Sequence, residues 1–228
     1  RYWLRSKTND NATAALKKQQ GTYIDTDLKY SIMKDKRDQK FQPTDGYRTS
    51  FTQKIPLYSD SPSLMNGLDY STYHAINENI IGSIRFYSRM INSIDDSEDV
   101  KVSERLYLPA RYLRGFEPGK IGPQDTGDYI GGNYATALGF NASLPNMFTT
   151  LPNTEFSLFL DTGNVWGVDY SDTIDDGSKL RSAIGINADW FTPVGPLNFS
   201  ISQDLEKDVV RDLVYNFGYR LGFLNKQY

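Results

Sequence analysis

Arg114 stands in the run Leu113-Arg114-Gly115-Phe116, where a guanidinium is followed by a residue able to turn sharply and by an aromatic able to pack. A guanidinium fork holds a carboxylate through two parallel charge-assisted hydrogen bonds. Taken alone, the triplet reads as a solvated loop arginine. His74 is the single histidine and cysteine is absent. A Ser-His hydrolase would therefore have to use His74, while thiolate nucleophiles, disulfides and Cys-rich zinc sites are excluded. No motif accompanies His74, which reads as a strand histidine near a membrane interface. Gly115-Phe116-Glu117-Pro118-Gly119-Lys120 looks like a phosphate loop. It is one residue short between its glycines and has Ile121 where Ser or Thr is required. Two acidic groups, Asp95-Asp96-Ser97-Glu98-Asp99 and Asp169, Asp172, Asp175 and Asp176, could attract a hard cation. They lack EF-hand spacing and read as solvated loops. The sequence predicts no enzyme, no cofactor and no metal site.

The residues that would hold such side chains in place follow from composition and periodicity. The chain has 228 residues, 39% of them hydrophobic and 14% aromatic, with 16 Tyr, 12 Phe and 18 Gly. No stretch approaches the roughly 18 consecutive apolar residues of a membrane-spanning helix. Aromatic richness beside 23% charged residues suits a β-sandwich or a transmembrane barrel, whose polar interior lies behind an apolar outer band. A net charge of -3 gives no surface built to neutralise phosphates, so nucleic acid is not an expected partner. The opening Arg1-Tyr2-Trp3-Leu4 lacks the pattern of an export signal, and the chain is expected to be a piece of a longer precursor.

Alternation with a period of two recurs in segments of about ten residues. In Tyr23–Ile32, Ile24, Thr26, Leu28, Tyr30 and Ile32 oppose Tyr23, Asp25, Asp27, Lys29 and Ser31. In Tyr47–Leu57, Tyr47, Thr49, Phe51, Ile55 and Leu57 oppose Arg48, Ser50, Thr52 and Lys54, after a turn at Pro43-Thr44-Asp45-Gly46. Further strands are predicted at Leu68–Ile76, Ile80–Ile91, Asn133–Leu144, Phe156–Trp166, Leu180–Phe191, Leu197–Leu205 and Val214–Phe223, with a weaker one at Arg1–Lys7. In Phe156–Trp166 the polar-side set is Ser157, Phe159, Asp161 and Gly163. About ten strands result, each near the ~9–11 residues that cross a membrane when tilted. Connections alternate between short and long, with Pro193-Val194-Gly195-Pro196 the clearest tight turn. The interruption from about 92 to 131 is too long for an idle loop and is a functional candidate.

Several motifs occur in order: Leu113-Arg114-Gly115-Phe116, Ile121-Gly122-Pro123, Phe159-Leu160-Asp161-Thr162-Gly163-Asn164-Val165-Trp166, and Ser182-Ala183 through Trp190-Phe191-Thr192-Pro193-Val194-Gly195-Pro196-Leu197-Asn198-Phe199-Ser200. With the aromatic last strand they resemble the C-terminal barrel of the BamA-like outer-membrane assembly factors, firmly from about Tyr23 to Phe223. The resemblance implies an all-β fold: about the last ten strands of a sixteen-stranded antiparallel transmembrane barrel. Residues 1–228 would be a fragment of the bacterial surface antigen domain, with a long surface loop at about 92–131 and no periplasmic POTRA domain.

In that family the loop tip folds into the lumen and its arginine pairs with acidic residues on the wall. Arg114 matches the arginine and Asp161 one partner, which agrees with the place of Asp161 on the polar face. The second acidic position is Asn141 here, a neutral acceptor. Pro109-Ala110-Arg111 replaces a Gly-rich lead-in. Leu113, Arg114, Gly115, Phe116, Asp161 and Asn141 are thus the expected loop anchor. Asn216, Phe217, Gly218, Tyr219, Leu221 and Phe223 match the barrel-sorting signal, on a last strand that forms one wall of a lateral gate. The implied function is to fold and insert β-barrel proteins into the bacterial outer membrane. Partners would be outer-membrane lipids, nascent barrel clients and, through the missing POTRA region, accessory lipoproteins. Related two-partner secretion and autotransporter-assembly barrels, and a passive porin-like channel, are the alternatives.

Overall fold

The computed structural model describes residues 2–6, 13, 17, 20–145, 147, 153–175, 179–192, 195–205 and 213–216. Ten strands form one antiparallel sheet: β1 (Tyr2–Ser6), β2 (Gly21–Asp35), β3 (Gly46–Ser59), β4 (Ser63–Asn77), β5 (Ile80–Ser93), β8 (Tyr134–Leu144), β9 (Thr154–Trp166), β10 (Arg181–Thr192), β11 (Gly195–Asp204) and β12 (Leu213–Asn216). Two short strands, β6 (Gln124–Asp125) and β7 (Asp128–Tyr129), pair within the connection from β5 to β8. Each sheet strand pairs with its neighbours in chain order, and β5 pairs with β8 across that connection.

This meander follows from the alternation in the sequence. Leu28, Ile32, Phe51, Leu68, Leu158 and Leu160 are exposed on one face. The opposite face buries Asp25, Ser157, Phe159, Asp161, Ala183 and Asn187. A one-residue slip would exchange the two sets, so the register is strongly specified. It shifts at Thr26/Asp27, where Thr26 faces Tyr58 and Asp27 faces Pro56. The strands extend beyond the apolar runs seen in the sequence, because backbone pairing continues where side-chain alternation fades: β4 starts at Ser63 rather than Leu68.

The connections depart from a simple alternation of short and long. At one end, 78–79 and 193–194 are short but 36–45 is long; at the other, 60–62 is short between the long connections 7–20 and 94–133. The 36–45 segment reaches across the polar face. Phe41 meets Phe191 of β10 edge-on at 4.9 Å, and the Gln42 amide donates to Glu155 of β9 at 2.9 Å. Strands β4, β5, β8 and β9 separate β3 from β10, and neighbouring strands lie roughly 4.8 Å apart. A contact across so many strands on one face reflects a sheet curled toward that face.

A core forms where the β5–β8 connection lies on the polar face. Leu108, Leu113 and Ile121 pack on Tyr87, Ala135, Ala137 and Val165, with Leu106, Tyr112 and Phe116 at the margin. Ala135 and Ala137 are small enough to admit the segment closely.

Spin labels at Leu28, Phe51 and Leu158 should be quenched by oxygen and shielded from a water-soluble nickel reagent, and a label at Asn187 should not show that preference. Quenching of the first three by the aqueous reagent would reject a lipid-facing apolar side.

Candidate functional site

The site is built where four neighbouring strands meet the tip of the 94–133 connection. Register aligns Arg85 of β5 with Gly139 of β8, Gly139 with Asp161 of β9, and Asp161 with Ala183 of β10. These residues form a row across the polar face. Asp161 is wholly buried. A carboxylate in that position requires compensation, since an unpaired buried charge is costly.

Arg114 supplies it. Its Nε donates to Asp161 Oδ2 at 2.6 Å and its Nη2 to Oδ1 at 2.8 Å, in the two-pronged geometry. The Arg114 backbone N–H adds a third bond to Oδ2 at 3.1 Å. Nη2 also donates to Asn141 Oδ1 at 2.7 Å, and the guanidinium lies over the Phe159 ring at 3.6 Å. Gly115 has φ +91, and a Cβ there would stand 2.8 Å from Ser202 Oγ and 3.0 Å from the Ala183 methyl. The tip needs both the left-handed backbone and the missing side chain. Leu113 is buried in the core and Phe116 packs at its edge. Pro109 accepts from the Tyr112 N–H at 2.9 Å in a turn, which presents the Arg111 carbonyl to Arg85 Nη1 at 3.1 Å. The structure thus brings Leu113, Arg114, Gly115, Phe116, Asn141 and Asp161 together. Of the last-strand candidates, Asn216 lies in β12, and Phe217, Gly218, Tyr219, Leu221 and Phe223 lie outside the described residues.

Further clamps were not read from the sequence. Lys101 is buried and donates to both oxygens of buried Asp25 at 2.9 Å. Lys54 of β3 meets Glu104 at 2.6 Å, and Ser63 donates to Glu104 at 2.7 Å. Tyr112 donates to Asp69 of β4 at 2.7 Å while stacking on Tyr87. Arg105 pairs with Asp169, which also accepts from the Val100 N–H and the Asn133 amide, each at 3.0 Å. Asp169 is therefore not a solvated loop acid as expected, but part of the strapping of the segment. Burial pushes its carboxyl up, yet the Val100 and Asn133 hydrogen bonds and Arg105 outweigh burial and hold it below its ordinary value. Tyr170 is shifted up, by burial and then by its hydrogen bond to Asp125. The available signal was the acidic residues at period-two positions, Asp25 and Asp69; their loop partners lie far away in sequence. His74 is exposed, with Nδ1 3.4 Å from the exposed Asp45. Among the described residues no group of three His, Cys, Asp or Glu side chains is arranged to hold a metal.

A profile of the Omp85 superfamily domain matches residues 2–223. The chain belongs to the Omp85 superfamily. The outer membrane protein assembly factor BamA of Neorickettsia risticii is 26% identical over 86% of this chain and 27% of that protein. The sorting and assembly machinery component 50 homolog of Homo sapiens is 26% identical over 71% of this chain and 36% of that protein. The crystal structure of Haemophilus ducreyi BamA lacking POTRA domains 1-3 superimposes with a TM-score of 0.75 at 24% identity, over 85% of this chain and 41% of that chain. The chain therefore spans only about a quarter to a third of the length of these two curated relatives. Within the Omp85 superfamily it has the fold of a BamA-type outer-membrane barrel wall. The face carrying Asp161 is the lumen side of that wall and the face carrying Leu158 the lipid side.

Arg114→Lys should weaken the clamp, because lysine keeps the charge and loses the planar fork. A double-mutant cycle on Arg114 and Asp161, read by denaturant unfolding of the full-length protein, should give a coupling of roughly 1–3 kcal/mol. Additive effects would reject an energetic pair.

Asp169 titrates lower in the fold than its ordinary value. Its contribution is complete above about pH 4, the unfolded carboxyl value, and is lost as pH falls through the folded value. Hydrogen-exchange protection in 94–133, relative to the intrinsic rate at each pH, should fall below that pH, and Asp169→Asn should remove this dependence. An identical acid response in the variant would assign it elsewhere.

Proposed function

We propose that this chain is about the last ten strands of a sixteen-stranded barrel in an assembly factor that folds and inserts β-barrel proteins into the bacterial outer membrane. Residues 1–228 form the C-terminal part of the barrel, and POTRA domains belong to the longer protein. The observation that carries the reading is the tip at Arg114, clamped on Asp161 in a chain whose relatives are named an outer membrane protein assembly factor and a sorting and assembly machinery component. A passive porin needs an open lumen, whereas here residues 94–133 occupy the lumen face and are tied down by ion pairs. Two-partner secretion barrels are the nearer alternative, and the names of the relatives favour assembly.

The physical task is set by the bilayer. A spanning strand must satisfy every backbone N–H and C=O, because an unpaired edge in hydrocarbon is costly. A weakly closed seam offers an edge on which a client strand can pair. Strand β12 lies at the end of the strand order, bonded to β11. We assign the last strand, Val214–Phe223, to one wall of the gate. Asn216, Phe217, Gly218, Tyr219, Leu221 and Phe223 serve as its sorting signal. The clients are nascent barrel proteins, outer-membrane lipids surround the wall, and accessory lipoproteins dock on the POTRA region. No cofactor and no catalytic group takes part.

The full-length protein in liposomes should accelerate the folding of a urea-denatured barrel client, read by heat-modifiable migration on gels. Stable single-channel conductance without acceleration would establish the porin reading instead. Phe223→Ala should reduce membrane integration of the protein itself in cells. Normal integration with only a lowered melting temperature would reject its role in the signal.

A further inference from the structure

Arg85 is the wall residue that the clamp does not use. It projects from β5 on the same row as Asp161, with glycine at 139 between them. A Cβ at Gly139 would lie 2.8 Å from Asp161 Oδ1 and 3.3 Å from Arg85 Nη2, so that glycine leaves a channel between guanidinium and carboxylate. Arg85 Nη2 stands 3.6 Å from Asp161 Oδ1, close enough for attraction and too far for a hydrogen bond. Its Nη1 donates to the Arg111 carbonyl. Its Nε and Nη2 are buried without a hydrogen-bond partner among the described residues.

Two guanidinium groups thus share one carboxylate, and the residue beside them, Asn141, is neutral. The three hydrogen bonds from Arg114 leave Asp161 one of about four acceptor positions. An excess positive charge and two unpaired donors in a buried site are costly.

We propose that Arg85 is a reserve partner for Asp161, a positioning residue that makes the loop clamp exchangeable. With the loop seated, Arg85 is held off by Arg114 and rests on the Arg111 carbonyl. With the loop withdrawn, Arg85 closes on Asp161, so that release of the segment leaves no orphaned carboxylate in the wall. The two states then differ by an exchange of arginines rather than by the loss of a buried ion pair. This goes beyond the assembly reading, because it concerns the position of the loop and is measurable without a client.

The test is hydrogen exchange of residues 111–116 and barrel unfolding, both measured on the full-length protein in nanodiscs. Arg85→Gln should slow exchange several-fold, since it relieves the charge excess when the loop is seated and orphans Asp161 when the loop leaves. If Arg85 merely props the loop through the Arg111 carbonyl, the same substitution accelerates exchange, and the proposal is overturned. For wall stability, Arg114→Gln should lower the midpoint by only part of what an unpaired buried carboxylate would cost, as long as Arg85 is present. The double substitution should lower the midpoint by more than the sum of the single changes, and Arg85→Lys in place of Arg85→Gln should restore much of the difference. Additive midpoints would also overturn it. Should the double variant fail to assemble, exchange in Arg85→Gln alone, whose clamp is intact, decides the question by its sign.

Discussion

Asp161 carries a charge at a wholly buried position, and the arrangement around it is shaped by the need to compensate that charge. Its strand neighbours on the same face are Phe159 and Gly163, and its cross-strand neighbours are Gly139 and Ala183. None of these offers a countercharge, so it comes from outside the neighbouring rows: Arg114 at the tip of the long connection, with Arg85 in reach. The small residues around it follow from the same demand, since larger side chains would keep the loop backbone away from the wall. The tip approaches so closely that its own backbone N–H reaches the carboxylate at 3.1 Å.

This clamp is the last of a series. Lys101 holds β2 through Asp25, Glu104 holds β3 through Lys54, and Tyr112 holds β4 through Asp69. Arg85 of β5 rests on the Arg111 carbonyl, Arg114 holds β9 through Asp161, and Arg105 ties down the 167–180 connection through Asp169. One segment therefore bonds in turn to strands spread over most of the sheet. Such a strap favours one curvature, because flattening the sheet would stretch several charged contacts at once. Between the polar clamps, Leu108, Leu113 and Ile121 bury apolar surface against Tyr87, Ala135, Ala137 and Val165. Each apolar contact removes water from its charged neighbours, and that strengthens them.

An outer-membrane wall has hydrocarbon on one side, where every backbone group must be paired within the sheet. Its freedom to change lies at its edges and in its lumen. The described structure has the second of these features: a lumen segment tied by polar contacts rather than by a covalent link. For a member of the Omp85 superfamily this division is physically economical.

The sequence by itself determined the wall. Alternation at period two in Tyr23–Ile32, Tyr47–Leu57 and Phe156–Trp166 is a local property, and it located strands, assigned Leu28 and Asp161 to opposite faces, and showed the β5–β8 connection to be too long for a simple turn. The family-like motifs group Arg114, Asn141 and Asp161 within the sequence itself. Only the tertiary structure decided what lies across from what on the lumen face. Lys101 with Asp25, Arg105 with Asp169 and Phe41 with Phe191 join residues far apart in the chain. No periodicity encodes such a pair, since it depends on how a long segment folds back and how far a sheet curls. The place of Arg85, facing Asp161 across a glycine, likewise follows from the register of three strands, which is settled by side-chain packing and backbone pairing over the whole sheet.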